Sequence, residues 1–311
     1  MASAPIATEG TPPPAAPIAA ATTLGPVRLT VSDLGRARAF YESALGLPAR
    51  DLDDGRLAFG PVGPGERPLV EVQADASAPR LDRRAPGLYH VAILLPSRVD
   101  LAHALLRLAR SRWPLDGASD HLVSEALYLS DPDGNGIELY RDRPPEQWAY
   151  DGDALQMATL PLDLHDIVAE AQAAAGSDGE LEIPDAAPSG TSVGHVHLQV
   201  SDLHAAEAFY GGVLGFDVVV RSYPGALFVS AGGYHHHLGL NTWHSAGSGP
   251  ARAGAIGLRS YDVVLPDAAE LERVLERVRT AGRPAVDGAE VPPGGFAVRD
   301  PSGNLVVLRA A

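Results

Sequence analysis

The sequence predicts an α+β fold built from four βαβββ modules, and three observations predict it. Ser32-Asp33-Leu34, Phe40-Tyr41 and Leu45-Gly46 recur as Ser201-Asp202-Leu203, Phe209-Tyr210 and Leu214-Gly215, each displaced by 169 positions. Asp131-Pro132-x-Gly134-Asn135 recurs as Asp300-Pro301-x-Gly303-Asn304 at that same displacement. Chance rarely holds one offset over two motifs so far apart, so the chain is a tandem duplication. Within each half, a strand, helix, strands order is itself repeated, which gives four modules at about 24–75, 87–142, 193–244 and 255–309.

Taken in order, residues 1–22 are rich in Ala, Pro and Thr, with Glu9 their only charged side chain, and read as a disordered tail. They lack the basic start of a targeting peptide, so a cytoplasmic location is expected. Module one opens on a β-like run at 27–31 that leads into an amphipathic helix, and strand signals separated by Gly and Pro follow as far as 69–72. Module two starts a strand at Val91, continues with a helix at 98–110 whose Leu101, Leu105 and Leu108 are core packing by their spacing, and ends after the Asp131-Pro132 turn. Modules three and four repeat this from 196–200 and from Val263. The Asp-Pro-x-Gly-Asn motifs are turns, because Pro fixes φ and Gly supplies a positive φ before the last strand. Residues 23–142 and 193–311 are thus expected as two domains of two modules each. Residues 143–192, with Pro144-Pro145, an Ala-rich stretch at 168–175, Pro184 and Pro188, read as a connector carrying one helix.

Composition narrows the chemistry. A net charge of −15 with pI near 5.1 and no Lys/Arg run excludes nucleic acid as an expected partner. No apolar run approaches the ~20 residues of a membrane helix. Cysteine is absent, so any metal must be held by His, Asp or Glu, and disulfides and thiolate nucleophiles are excluded.

The four-module layout resembles the glyoxalase, bleomycin-resistance and extradiol dioxygenase superfamily, the vicinal-oxygen-chelate proteins, over nearly everything after the tail. The segments 87–96, 118–138 and 233–243 are most similar to bacterial catechol 2,3-dioxygenase-like proteins. The resemblance implies that paired modules curl into half-open barrels, with ligands taken from the first strand of a module (His or Gln) and from its last strand (Glu). Module two supplies His90 and Glu138 at those places, and module three supplies His195. Module one has Pro26 where module three has His195, and module four has Val307 where module two has Glu138 and Arg259 or Ser260 where it has His90. Only a pairing of modules two and three completes the set His90, Glu138 and His195, which would put the metal between the two halves of the chain.

Two imidazoles and one carboxylate leave adjacent coordination positions open, an arrangement favoured by non-haem Fe(II) enzymes that bind substrate and O₂ together; Mn(II) fits the same ligands. The resemblance implies an extradiol dioxygenase that opens catechol or a substituted catechol with O₂. That chemistry removes protons from the diol and later returns one to a departing oxygen, which suits histidine. His121 and Tyr128 resemble the family segment that supplies a substrate-orienting His and a Tyr near the metal. The run His235-His236-His237 is expected on the last strand of module three, where alternation puts His235 and His237 on one face; the acid–base role is assigned to His237 or His235 before His236. His197, two residues from His195, is expected in the pocket, with Asn241, Trp243 and Tyr234 shaping it. A single strand histidine is ordinarily structural, so the grouping carries the argument. Two alternatives stay open: a glyoxalase-type isomerase, which needs a fourth ligand, and a metal-free antibiotic-sequestering protein. The sequence leaves homo-oligomerisation open.

Overall fold

The computed structural model describes residues 16–152, 154–176, 181–286, 288 and 291–311. Module one contributes β1 (Thr23–Val31), α1 (Leu34–Arg38, continued by π turns at Ala39–Ala44), β2 (Ala49–Asp51), β3 (Leu57–Phe59) and β4 (Val70–Ala74). Module two contributes β5 (Gly87–Leu94), α2 (Arg98–Ser111), β6 (Gly117–Asp120), β7 (Ser124–Ser130) and β8 (Gly136–Asp142). The connector holds β9 (Tyr150–Asp151), β10 (Ala154–Leu155), β11 (Leu160–Pro161) and α3 (Leu164–Ala175). Module three supplies β12 (Ser192–Gln199), α4 (Leu203–Glu207, continued by π turns at Ala208–Leu214), β13 (Asp217–Val220), β14 (Ala226–Ser230) and β15 (Leu238–Asn241). Module four supplies β16 (Gly257–Leu265), α5 (Ala268–Thr280), β17 (Phe296–Arg299) and β18 (Leu305–Ala310). Its remaining expected strand would fall in a stretch that includes residues outside those described.

Two curled sheets result, and both run across the duplication. One has the order β17-β18-β16-β1-β4-β3-β2 and joins modules one and four; the other, β11-β6-β7-β8-β5-β12-β15-β14-β13, joins modules two and three. The seam of the larger sheet is the antiparallel pair β5/β12, with His90 opposite His197 and Ala92 opposite His195. Contacts within each half are made by the repeated turns. The Asp131 carboxylate accepts from Asn135 and from the Tyr41 hydroxyl of module one, and Asp300 accepts from Asn304 and from Tyr210 in the same way. Gly134 (φ +90°) and Gly303 (φ +97°) supply the left-handed residue each turn requires.

The apolar faces of both sheets and their helices share one core, to which α2 gives Leu101 and Leu108 and β12 gives Val196 and Leu198. In the smaller sheet Arg28 of β1 stands where β12 of the larger sheet has His197. Asp262 on β16, almost fully buried, accepts from Arg28 at 2.5 Å and from Arg309 at 2.7 Å.

The tail expectation needs correcting at its end. Residues 1–15 lie outside those described, but 16–22 are packed: Ile18 is 3% exposed, its N–H donates to Gly215 O, and Arg273 and Arg277 of α5 donate to Pro17 O and Ala16 O. A buried isoleucine and backbone hydrogen bonds to Arg273, Arg277 and Glu270 of α5 seat the segment. No helix among the described residues is long and apolar enough to cross a membrane.

Candidate metal centre

Strands alternate their side chains between two faces, and the three central strands of the larger sheet use this to separate core from cavity. On β12, Val196 and Leu198 enter the core, while His195, His197 and Gln199 line a cavity of about 710 Å³ on the other side. His90 on β5 and Glu138 on β8 line the same cavity. Of these five residues, His195, His90 and Glu138 form a cluster with Tyr128, which stands opposite Glu138 in the β7/β8 register.

His90, Glu138 and His195 are buried at 6%, 2% and 2% exposure, and each offers a ligand atom within 4.8 Å of the others. One oxygen, Glu138 Oε2, faces both imidazoles: His195 Nε2 at 3.1 Å and His90 Nε2 at 3.0 Å. Burial alone would raise the Glu138 carboxyl, but the charge and hydrogen bond of His195 and the close approach of His90 outweigh it and hold it well below the usual carboxylate range. His90 Nε2 is out of line for a hydrogen bond despite its burial. An unpaired buried polar atom costs about 1–3 kcal/mol, and a cation between these three atoms would remove that penalty. The set of nitrogen and oxygen donors therefore fits a divalent metal.

Gly194 places His195 by having no side chain. A Cβ there would stand 1.8 Å from the Tyr140 hydroxyl and 2.7 Å from its ring carbon Cζ, and the Tyr140 ring packs on His195 with centroids 4.8 Å apart. Gly194→Ala is expected to lower stability by about 1–3 kcal/mol through overpacking and to weaken metal binding, read as a drop in thermal midpoint and in bound metal. Tyr140→Phe in the same chain should restore only part, since Cζ itself is too close.

His121 follows β6 in a tight hairpin in which its N–H donates to Ser124 O and Leu122 takes φ +70°. Its Nδ1–H donates to Ala158 O at 2.7 Å, so in the neutral ring Nε2 accepts from the Tyr128 hydroxyl, also at 2.7 Å. Burial first, then the charge of Glu138, raises Tyr128 well above its ordinary pKa.

The triple histidine is placed differently from the expectation. It lies in the turn before β15 rather than on the strand, so strand alternation does not apply. His236 lines the cavity and packs at a tilt of 50° against His195 with centroids 4.2 Å apart. His235 turns to Asp142, its Nε2 2.8 Å from Oδ1. His237 turns to the backbone, its Nδ1 accepting from Ala231 N–H at 3.1 Å. Trp243 and His197 line the cavity, whereas Asn241 and Tyr234 do not. Asn241 is wholly buried and its Oδ1 accepts from Trp243 N–H, so it supports the turn that carries the tryptophan. Tyr234 donates to Asp142.

Residues that sequence reasoning missed complete the walls. Gln199 was readable, being two positions beyond His197 on the same face. Met157 to Thr159 and Tyr223, Phe228, Arg83 and Arg84 also line the cavity; the connector residues reach it because β11 pairs with β6, a contact that leaves no local signal.

Burial pushes His237 down from 6.5 to about 4. Between those values the unfolded chain binds this proton and the folded chain does not, so stability falls as pH drops from about 6.5 to about 4 and is unaffected by this group below that. The full loss from this one residue is about 3 kcal/mol. Denaturant midpoints of the metal-free protein measured across that window should show the fall, and His237→Gln should reduce its slope.

With this geometry in place, comparison with known proteins is informative. Residues 23–139 and 192–308 each match the sequence profile of the Glyoxalase/Bleomycin resistance protein/Dioxygenase superfamily, and the chain belongs to that family. A catechol-2,3-dioxygenase of Bacillus subtilis (strain 168) is 43% identical over 284 residues, covering 90% of this chain and 94% of that one. Among solved structures, a candidate dioxygenase from Bacillus subtilis subsp. subtilis str. 168 superposes with a TM-score of 0.62 at 15% identity, covering 95% of this chain and 86% of that one. Glyoxalase I from Zea mays superposes with a TM-score of 0.55 at 17% identity, covering 93% and 92%. These two structures share the fold with this chain.

Proposed function

We propose that this chain is an extradiol ring-cleaving dioxygenase acting on catechol or a substituted catechol with O₂, at a mononuclear non-haem Fe(II) site formed by His90, Glu138 and His195. The observation that carries the reading is the buried His-His-Glu group at the wall of the cavity, with a Tyr-His pair and a further histidine beside it. The relationship to a catechol-2,3-dioxygenase supports it. Fe(II) held there would supply adjacent positions for the two diol oxygens and for O₂, and Mn(II) fits the same ligands. The ring opens next to the diol and both atoms of O₂ enter the product.

The protein's share is proton handling and shape. His236 takes a proton from the diol as it binds and returns it to an O₂-derived oxygen as the O–O bond breaks, that oxygen then entering the product. The Tyr128 hydroxyl, oriented by His121, hydrogen-bonds to the substrate. His197 and Trp243, with ring centroids 5.4 Å apart, form a wall against which the aromatic ring lies. The isomerase alternative asks for a fourth protein ligand, and the group found among the described residues has three.

The test is anaerobic loading with Fe(II), followed by catechol and air. Oxygen uptake with a yellow ring-opened product is the expected result; bound iron without uptake over a series of catechols would overturn the reading.

A further inference from the structure

We infer that Asp142 is a positioning residue for His236: acting through His235, it holds His236 in the tautomer whose Nε2 carries a lone pair rather than a hydrogen. The hydrogen-bond geometry stands by itself, whereas the consequence for turnover rests on the function proposed above.

On β8, Glu138, Tyr140 and Asp142 share one face. Glu138 serves the metal group, and the two residues beyond it build a polar chain leading away from it. Asp142 stands at the strand end with its side chain 25% exposed. Its Oδ2 accepts from the Tyr234 hydroxyl at 2.9 Å, and Tyr234 accepts from the Tyr140 hydroxyl at 2.7 Å. Its Oδ1 lies 2.8 Å from Nε2 of the wholly buried His235, whose Nδ1 lies 2.8 Å from Nδ1 of His236.

Donor and acceptor roles follow in order along this chain. A carboxylate has no hydrogen to give, so His235 Nε2 carries one. A neutral imidazole has a single N–H, so His235 Nδ1 is an acceptor, and the hydrogen between the two Nδ1 atoms belongs to His236. Nε2 of His236 is then bare, and it makes no hydrogen bond within the described residues while its ring lines the cavity. The reverse order would need His235 as an imidazolium. The His235 ring lies beside those of His195 and His236, with centroids at 6.2 and 4.7 Å. The Tyr234 hydrogen bond occupies the second carboxylate oxygen and so fixes which oxygen His235 meets. Without this chain His236 is free to carry its hydrogen on either nitrogen, and in the wrong form it presents a hydrogen where the reaction needs an acceptor.

The test is ¹⁵N NMR of the metal-free protein labelled in histidine, in which two-bond correlations report the tautomer of each ring. His235 should carry its hydrogen on Nε2 and His236 on Nδ1. Asp142→Ala and, independently, His235→Phe should each shift His236 toward the Nε2–H form. In the iron-loaded protein the same variants should lose roughly 10–100-fold in kcat, with KM and bound iron retained, and the double variant should be no worse than the worse single one. A wild-type His236 with its hydrogen on Nε2, or a tautomer unchanged in both folded variants, would overturn the inference. If the wild type turns over no catechol while the tautomers are as expected, it is the dioxygenase reading that fails and the positioning role stands.

Discussion

Glu138→Gln is expected to abolish stable metal binding and to reduce kcat by at least about 10³-fold, roughly 4 kcal/mol of barrier, while leaving the fold intact. Glu138 Oε2 is the one atom that faces both His90 and His195, and Gln keeps its volume while removing the charge a cation needs. The fold and the site separate cleanly in one experiment. A ligand that binds only the folded state raises stability by about 2.7 kcal/mol when present at a hundred times its Kd. Added Mn(II), or Fe(II) under anaerobic conditions, should therefore raise the thermal midpoint of the wild type and leave that of Glu138→Gln unmoved. In the absence of metal the variant should melt somewhat lower than the wild type, because the imidazoles that hold the Glu138 carboxyl well below its usual range stabilise the fold and have no charge to meet in Gln. A variant that binds metal and turns over normally would remove Glu138 from the site.

The legible part of this protein was whatever repeats or alternates. The offset of 169 residues fixed the equivalence of Pro26 with His195 and so excluded module one as a ligand source. That elimination in turn pointed to the pairing of modules two and three, and the β5/β12 seam joins them. Alternation on β12 placed His195 and His197 on one face and would have placed Gln199 there as well. It failed at His235-His236-His237 because periodicity presumes a strand, and these residues occupy a turn in which each ring takes a different partner: Asp142, the cavity, and Ala231 N–H. Ile18 was missed for a related reason. Composition averages over a window, and a single apolar residue that finds a seat beside Gly215 and α5 does not alter the average. Met157 to Thr159 enter the cavity through long-range pairing, which no local pattern encodes.

His236→Asn is expected to lower kcat by about 10²–10⁴-fold, the range of a general acid–base group, with iron content and KM close to those of the wild type. Asn is chosen because its amide N–H can replace the Nδ1–H that His236 offers to His235, so the neighbouring hydrogen bonds persist while the proton acceptor is lost. Burial, followed by the fields of His195 and His235, holds the His236 pKa well below its ordinary value, so the ring enters the reaction neutral and ready to accept a proton. The same variant made at His237 should leave kcat nearly unchanged, since that ring points to Ala231 and away from the cavity. The contrast between adjacent histidines is what gives the experiment its force. General disturbance of the turn would lower both variants alike, and a catalytic base at His237 would reverse their order. Single-turnover oxidation of bound catechol should show the loss directly in the His236 variant. A rate there equal to the wild type's would assign the proton transfer to the other pair that lines the cavity, Tyr128 and His121.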